Sequence, residues 1–381
     1  MPTANYEFQY YSTSGATWVD VDYMLDYDVK IGRDFQLDTY RADTCRVTFW
    51  LTTGVSFAGP QYSVKPGMPI RIIDKTRKVI LFWGITRDTQ VDYGMPYNSV
   101  TDIGNADRFT VYGEGALAVF GRMSGDDYVM AADTLNDQID TAETQSGGTI
   151  IAPYDAASIS MGGTTVSGTW GDWVTRVVLT LNDRIRQLED EIEIVSKYDL
   201  EPLSMSFATS DGPLFQRYDR IEYESLADNY YTQVIVKPEG LSEAVAELGS
   251  KPFRTYTVNT VNASVAQAED YADYLLANYS SLAAGLSMIG ARSTNQGTNF
   301  YLDNMGEADG VTDFYTQSLV GYYTQVAFRT LTTDVVIEGL TISGNPDEQR
   351  FTFQFSQRDL NSYLILDDAV FGKLDSNKLG Y

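Results

Sequence analysis

The first third of the chain alternates apolar and polar positions at period two. Successive side chains of a strand point to opposite faces, so this alternation predicts half-buried strands. The candidates are Glu7 to Tyr11, Trp18 to Val21, Val29 to Ile31, Arg46 to Leu51, Pro69 to Asp74, Val79 to Thr86 and Arg108 to Tyr112. Gly54, Gly59, Pro66-Gly67 and Gly94 fall between them as turn punctuation. Short strands at this spacing read as a barrel or sandwich. Gly115-Ala-Leu-Ala-Val-Phe120 is a short closing helix in this reading.

Residues 121–170 are less regular, and their Gly147-Gly148 and Gly162-Gly163 pairs suggest loops with short strands. A helix is expected from Gly171-Asp172 onwards. Val174, Val178, Leu181, Ile185, Leu188, Ile192 and Val195 follow a 4-3-4-3-4-3 spacing, which predicts an amphipathic helix near 172–190 lying on its own domain. An inter-subunit helix seam fits the same spacing, but the flanking positions lack the opposite-charge pattern of such a seam. Ile192 and Ile194 can equally begin a strand.

Strand character returns at Leu203 to Phe207, Asp219 to Tyr223 and Tyr231 to Val236. Ser264-x-x-Gln267 is a capping box that opens a helix. Ala268, Ala272, Leu275, Tyr279 and Leu282 then share one face, and Gly285 is a stop signal. Asp334 to Glu338 and Arg350 to Ser356 alternate as strands. Two separate β blocks suggest two barrels in one chain.

Composition narrows the function. The 381 residues carry 27 Lys+Arg against 52 Asp+Glu, a net charge of −25. That argues against nucleic-acid binding, which needs clustered cations, and against docking on an anionic membrane. With no histidine, Ser-His-Asp and Cys-His catalysis, His-ligated zinc and histidine pH switches fall away. Cys45 is the single cysteine, so neither an internal disulfide nor a CxxC site can form. The N-terminus has no basic and apolar signal-peptide pattern, and no run reaches the roughly 18–20 apolar residues of a membrane span. A soluble protein made without export is therefore expected. On that expectation the Asn-x-Ser sequons at Asn262 and Asn278 are chance matches. Aromatics make up 13%, including 27 Tyr, which suits both a β-rich fold and surface buried against partner chains.

The chemical motifs are few. Asp190, Glu191 and Glu193 lie close together, as do Asp126 and Asp127. A glycosidase needs two carboxylates facing across a cleft, and a solvated acidic face explains these better. Asp20, Asp22, Asp26 and Asp28 form one acidic run, and Asp303, Glu307 and Asp309 another. Neither matches a calcium loop. Phosphate-binding loops, dinucleotide fingerprints and nucleophile elbows are absent. Cys45, with no His to activate it, reads as a small buried residue. No residue is assigned a catalytic, cofactor-binding or metal-binding role.

A further set of motifs runs in order along the chain. Trp18-Val-Asp-Val21, Gly32-Arg33, Leu37-Asp38, Ala42 and Arg46-Val-Thr-Phe49 open it. Lys65-Pro-Gly-Met-Pro-Ile-Arg-Ile72, Leu81-Phe-Trp-Gly84, Val91-Asp-Tyr93, Phe109-Thr-Val-Tyr112 and Leu117-Ala118 continue it. Arg254-Thr-Tyr256, Ala266-Gln-Ala268 and Ala272-Asp-Tyr-Leu-Leu276 follow, then Val336-Ile-Glu-Gly-Leu340, Asn345-Pro346, Arg350-Phe-Thr352, Ile365-Leu-Asp-Asp368 and Phe371-Gly-Lys-Leu-Asp375. On these motifs the sequence resembles tailed-bacteriophage minor tail proteins of the baseplate-hub (tail hub or tail tip) type, the third group matching the helical insert and the last the closing strand and tail. Residues 121–205 match poorly.

The resemblance implies a mainly β fold with α+β insertions, comprising two tail-tube-like β-barrel domains and smaller inserted domains. On this division the first barrel occupies 1–120 and a mixed insert 121–202. The second barrel is discontinuous over 203–250 and 320–366, with a helical insert at 251–319 and a C-terminal tail at 367–381. It further implies a non-enzymatic virion protein without cofactors, made in the host bacterial cytoplasm. Three chains would close a pseudo-sixfold ring joining the sixfold tail tube to the threefold tip. The implied partners are a distal tail protein ring, a tape measure protein and central tail tip or fibre proteins. Genomic DNA would pass through the channel without specific binding, and the chain would not insert stably in a membrane. The rival readings are a hexameric distal tail ring protein and, in another class, a tail-tip cell-wall hydrolase or carbohydrate-binding protein.

Overall fold

A computed structural model describes residues 6–51, 63–74, 79–92, 107–198, 200–203, 206–208, 215–225, 230–279, 284–294, 314–329, 331–345 and 348–357. The first block contributes β1 (Tyr6–Ser12), β2 (Thr17–Val21), β3 (Met24–Gly32), β4 (Thr44–Leu51), β5 (Pro69–Asp74), β6 (Val79–Asp92) and β7 (Asp107–Glu114). All seven predicted strands are present, and β3 and β6 run longer than their apolar stretches because pairing extends into polar sequence. The short helix α1 (Ala116–Phe120) follows β7 and buries Ala116, Leu117 and Phe120.

The mixed region is more ordered than its composition suggests. It holds β8 (Tyr128–Met130), β9 (Asp133–Thr134), α2 (Leu135–Ser146), β10 (Thr149–Ile151), β11 (Ser160–Met161), β12 (Thr164–Val166), α3 (Trp170–Leu181), β13 (Arg184–Leu188) and β14 (Glu191–Val195). The helix α2 was not predicted. Its buried residues are Leu135, Gln138, Ile139 and Ala142, a helical spacing masked by otherwise polar sequence. Thr134 caps it, and Gly147 ends it at φ 73°.

The expected helix near 172–190 is corrected: α3 stops at Leu181. Asn182 turns left-handed at φ 57°, which tolerates an Asn better than most residues. Ile185 and Leu188 then lie on β13, Ile192 and Val195 on β14, and the two strands form an antiparallel hairpin. The heptad spacing of these residues is coincidental, and Ile192 and Ile194 belong to a strand. The start of α3 is sharply specified. Thr169 and Asp172 form a reciprocal capping box, and Trp170 and Trp173 are both buried with ring centroids 6.0 Å apart.

The remaining elements are β15 (Ser206–Ala208), β16 (Phe215–Arg217), β17 (Arg220–Ser225), β18 (Gln233–Pro238), β19 (Ala244–Glu247), β20 (Thr255–Thr260), α4 (Val265–Tyr279), β21 (Ala284–Thr294), β22 (Phe314–Tyr315), β23 (Tyr323–Phe328), β24 (Leu331–Gly344) and β25 (Glu348–Gln357). The Ser264 half of the α4 capping box is present, with the Gln267 N–H donating to Ser264 Oγ, whereas Gln267 Oε1 accepts from the N–H of Ala263, one residue before the cap. Ala268, Ala272 and Leu275 are buried as expected. Leu282 lies outside the described residues, and Gly285 lies in β21 rather than at the helix end.

Two strand assignments change. β18, expected in the second β block, instead pairs parallel with β20 and antiparallel with β19, and α4 packs on this small sheet. The inserted unit is thus an α/β module. β21, expected within the helical insert, pairs with β17 and β25 in the main sheet.

The main sheet runs β16-β15-β23-β24-β3-β4-β7-β6-β5-β1-β2, with β25 branching from β24 and carrying β21 and β17. The two β blocks are therefore joined edge to edge by antiparallel pairing of β24 with β3, from Gly339 opposite Gly32 to Gly344 opposite Tyr27. Inward residues of both blocks and of the mixed region form one hydrophobic cluster, including Phe8, Phe49, Phe82, Trp173, Phe207 and Phe353. The α4 module has its own, around Val234, Val236, Ala268 and Leu275.

Candidate functional site

The β24–β3 seam holds the densest buried charge among the described residues. The register of β24 against β25 shifts between Ile337 and Gly339, and such a bulge re-aims a side chain. Here it directs Glu338, which has no exposed surface, into the seam. Arg33 Nε donates to Glu338 Oε2 at 2.9 Å, and Arg184 Nε and Nη2 donate to Oε1 at 3.1 and 2.7 Å. Ser356 Oγ donates to the same Oε1 at 2.5 Å. Burial by itself would raise the Glu338 carboxyl, but the Arg184 and Arg33 charges and the Ser356 hydroxyl outweigh it and hold it at about 2. Arg33 also lies 4.3 Å from the Tyr40 ring centroid.

A second polar knot adjoins it. Asp43 accepts from the Gly32 N–H at 2.9 Å, from Gln187 Nε2 at 3.0 Å and from Gln317 Nε2 at 3.0 Å. Gln187 Oε1 accepts from the Asp43 and Leu117 N–H groups, and Gln317 Oε1 from the Trp83 N–H. Burial pushes the Asp43 carboxyl up to about 7 despite these donors. The two knots tie β3, β6, β13, β24 and the segment before β23 together. Buried polar groups paired in this way, with Arg33 Nη2 left without a hydrogen-bond partner, restrict the arrangements open to a core. What this chemistry does is lock orientation between the two β blocks and the mixed unit.

The mixed unit and the α4 module are locked as well. Arg176 Nη1 donates to Glu239 Oε2 at 2.7 Å, and Thr164 Oγ1 donates to the same oxygen. Tyr271 Oη donates to the Leu179 carbonyl at 2.5 Å, and Asn182 Nδ2 to Tyr274 Oη at 3.1 Å. Between the two units lies a cleft of about 740 Å³.

The acidic residues singled out by sequence do not converge. Asp26 and Asp28 both pair with Arg46, at 3.0 and 3.2 Å, on an exposed strand face. Asp20 accepts from Gln9 Nε2, and Asp22 lies exposed in the turn before β3. Asp126 and Asp127 occupy a turn with positive φ. Asp190 is in the β13–β14 turn, Glu191 begins β14, and Glu193 pairs with Arg186 at 3.2 Å. Asp303, Glu307 and Asp309 lie outside the described residues. Among the described residues no three acidic or cysteine side chains gather as metal ligands.

Cys45 is buried on β4, and burial pushes its thiol well above the ordinary range. It is expected to resist maleimide in the native protein and to react on denaturation. Cys45→Ala is expected to cost at most about 1–2 kcal/mol in urea unfolding; rapid native labelling would contradict this placement.

Sequence reasoning did not single out Glu338, Arg184, Asp43 or Gln187 as a cluster. The available signal was a charge inside an apolar strand, as in Val335-Val-Ile-Glu338. Separations of up to 305 residues, between Arg33 and Glu338, hid the partners.

This arrangement of blocks and inserts can be matched to known structures. The 43 kDa tail protein of prophage MuSo2 from Shewanella oneidensis superposes with a TM-score of 0.62 at 11% identity, covering 93% of this chain and 99% of that one. The chain has a prophage tail-protein fold. The tail protein from Neisseria meningitidis MC58 gives a TM-score of 0.60 at 12% identity over 92% of this chain and 97% of that one. No family model and no curated protein matches the sequence. The tail-protein fold extends through the mixed region, where the sequence resemblance was poorest.

Proposed function

We propose that this chain is a structural protein of a phage tail, located in the virion at the baseplate or tail tip. The observation that carries this reading is the near end-to-end likeness to the Shewanella tail protein. Within it we assign the hub role: three copies close a ring that joins a sixfold tube to a threefold tip. Two β blocks per chain, joined edge to edge by β24 and β3, supply six blocks in a trimer, which suits a sixfold neighbour. The buried Arg33–Glu338–Arg184 cluster supports the same role, because a ring under load needs a fixed angle between its two blocks. A distal tail ring, the tape measure protein and central tip or fibre proteins are its proposed neighbours. The net charge of −25 favours a channel through which DNA slides, since an anionic wall gives the phosphates no counterion-release attraction.

Native mass spectrometry and averaged particle images test the hub assignment. The expected result is a closed assembly of three copies. Six copies would favour the distal-ring reading, and a chain that stays monomeric at high concentration would overturn both.

A further inference from the structure

The cleft between the mixed unit and the α4 module has features that the locking interactions around it do not use. Its volume of about 740 Å³ lies in the range of small-molecule sites. At its base, Asp183 is only 2% exposed. Its Oδ1 accepts from the Lys197 N–H at 2.9 Å, whereas its Oδ2 has no hydrogen-bond partner. Asp155, also lining the cleft, has a buried Oδ1 with no partner. Native proteins rarely leave buried polar atoms in this state, because each costs about 1–3 kcal/mol.

The other lining groups restrict what could satisfy these oxygens. Lys197 Nζ lies 5.0 Å from the Tyr198 ring centroid and 4.8 Å from that of Tyr274. An organic cation would meet this ammonium over the same aromatic faces, and an anion would meet Asp155, Asp183 and Asp270. Among the described residues no three carboxylates of this cleft come together as metal ligands. A neutral ligand rich in hydroxyls meets none of these objections. Hydroxyls donate and accept, so they serve the two unpartnered carboxylate oxygens of the wall. Burial pushes the Asp183 carboxyl up to about 7. A hydroxyl can donate to its carboxylate form or accept from the O–H of its acid form, whereas an ammonium only donates. Tyr198 is 50% exposed, and with Lys197 Nζ over one face of its ring the C–H side of a sugar would stack on the opposite face.

We propose that this cleft is a saccharide-binding site, with Asp183 and Asp155 accepting ligand hydroxyls and Tyr198 as the stacking platform. The proposal does not depend on the copy number of the assembly.

Saturation-transfer NMR on the full chain tests it, using glucose, galactose, rhamnose and N-acetylglucosamine as probes, with spermidine and inorganic phosphate as comparison ligands. At least one sugar is expected to show transfer, with a Kd of about 1 mM. Asp183→Asn keeps the acceptor for the Lys197 N–H, and Tyr198→Ala alters a half-exposed ring. Each is expected to weaken binding about tenfold, equivalent to about 1.4 kcal/mol, with unchanged circular dichroism. Asp155→Asn should act in the same direction and provides a second carboxylate variant should Asp183→Asn misfold. Binding of spermidine or phosphate but no sugar, no transfer from any sugar, or sugar transfer that survives all three substitutions would overturn the proposal.

Discussion

Glu338→Ala is expected to lower the unfolding free energy by about 3–5 kcal/mol, because it leaves Arg33 and Arg184 buried without their shared counter-charge. The two guanidiniums are 2% and 3% exposed, so water cannot take over the role of the carboxylate. Replacing all three residues with apolar side chains of similar volume is expected to restore much of the loss, since a buried ion cluster often contributes little net stability over a packed core. The same carboxylate has a pH signature. Its folded pKa of about 2 lies below the ordinary value of 4.5, so its contribution is fully present above about 4.5. It is lost as pH falls through about 2. Urea unfolding of the wild type across that window should show this acid limb, and the alanine variant should show it flattened. A loss below about 1 kcal/mol at neutral pH would mean that the cluster behaves as a surface ion pair and does not hold the seam.

Gly32→Ala is expected to be comparably damaging through a different cause. Gly32 ends β3 with φ +71°, a left-handed conformation that penalises any Cβ. A Cβ there would also come within 2.3 Å of the Glu338 carbonyl oxygen and 3.0 Å of Gly339 Cα. Both neighbours are backbone and cannot swing aside. Strain of about 1–3 kcal/mol at such a backbone position adds to an overpacking cost of about 1–3 kcal/mol. Because the Gly32 N–H also donates to Asp43, displacement there disturbs both polar knots. Thermal unfolding and native mass spectrometry of the variant should show a lower midpoint and, if the proposed ring forms, its loss. A variant with wild-type midpoint and assembly would show that the seam can open by the required distance without consequence. The exposed control Gly67→Ala shares positive φ but meets nothing within 4 Å, so it isolates the conformational term from the steric one.

The local pattern of the chain determined much. Alternation in Pro69 to Asp74 and Arg350 to Phe355 names strands that exist, because a half-buried strand needs an apolar residue at every second position whatever it pairs with. The start of α3 and the Ser264 cap of α4 were legible because a helix end must satisfy its own backbone donors from neighbouring residues. The absence of histidine and the single cysteine are facts of sequence alone. Partner choice was not legible. The alternation of Tyr231 to Val236 fits a strand in either β block or in the insert, and only parallel pairing with β20 assigned it. The 3.5-residue spacing from Val174 to Val195 describes a helix as far as Leu181 and a hairpin beyond it, because buried Asn182 and Asp183 redirect the chain and the apolar residues after them pack from strands. The polar knots and the cleft likewise came only with the tertiary structure. Their members are distant in sequence, such as Asp43 and Gln317. A charged residue's burial depends on what the rest of the fold brings against it, which local periodicity does not encode.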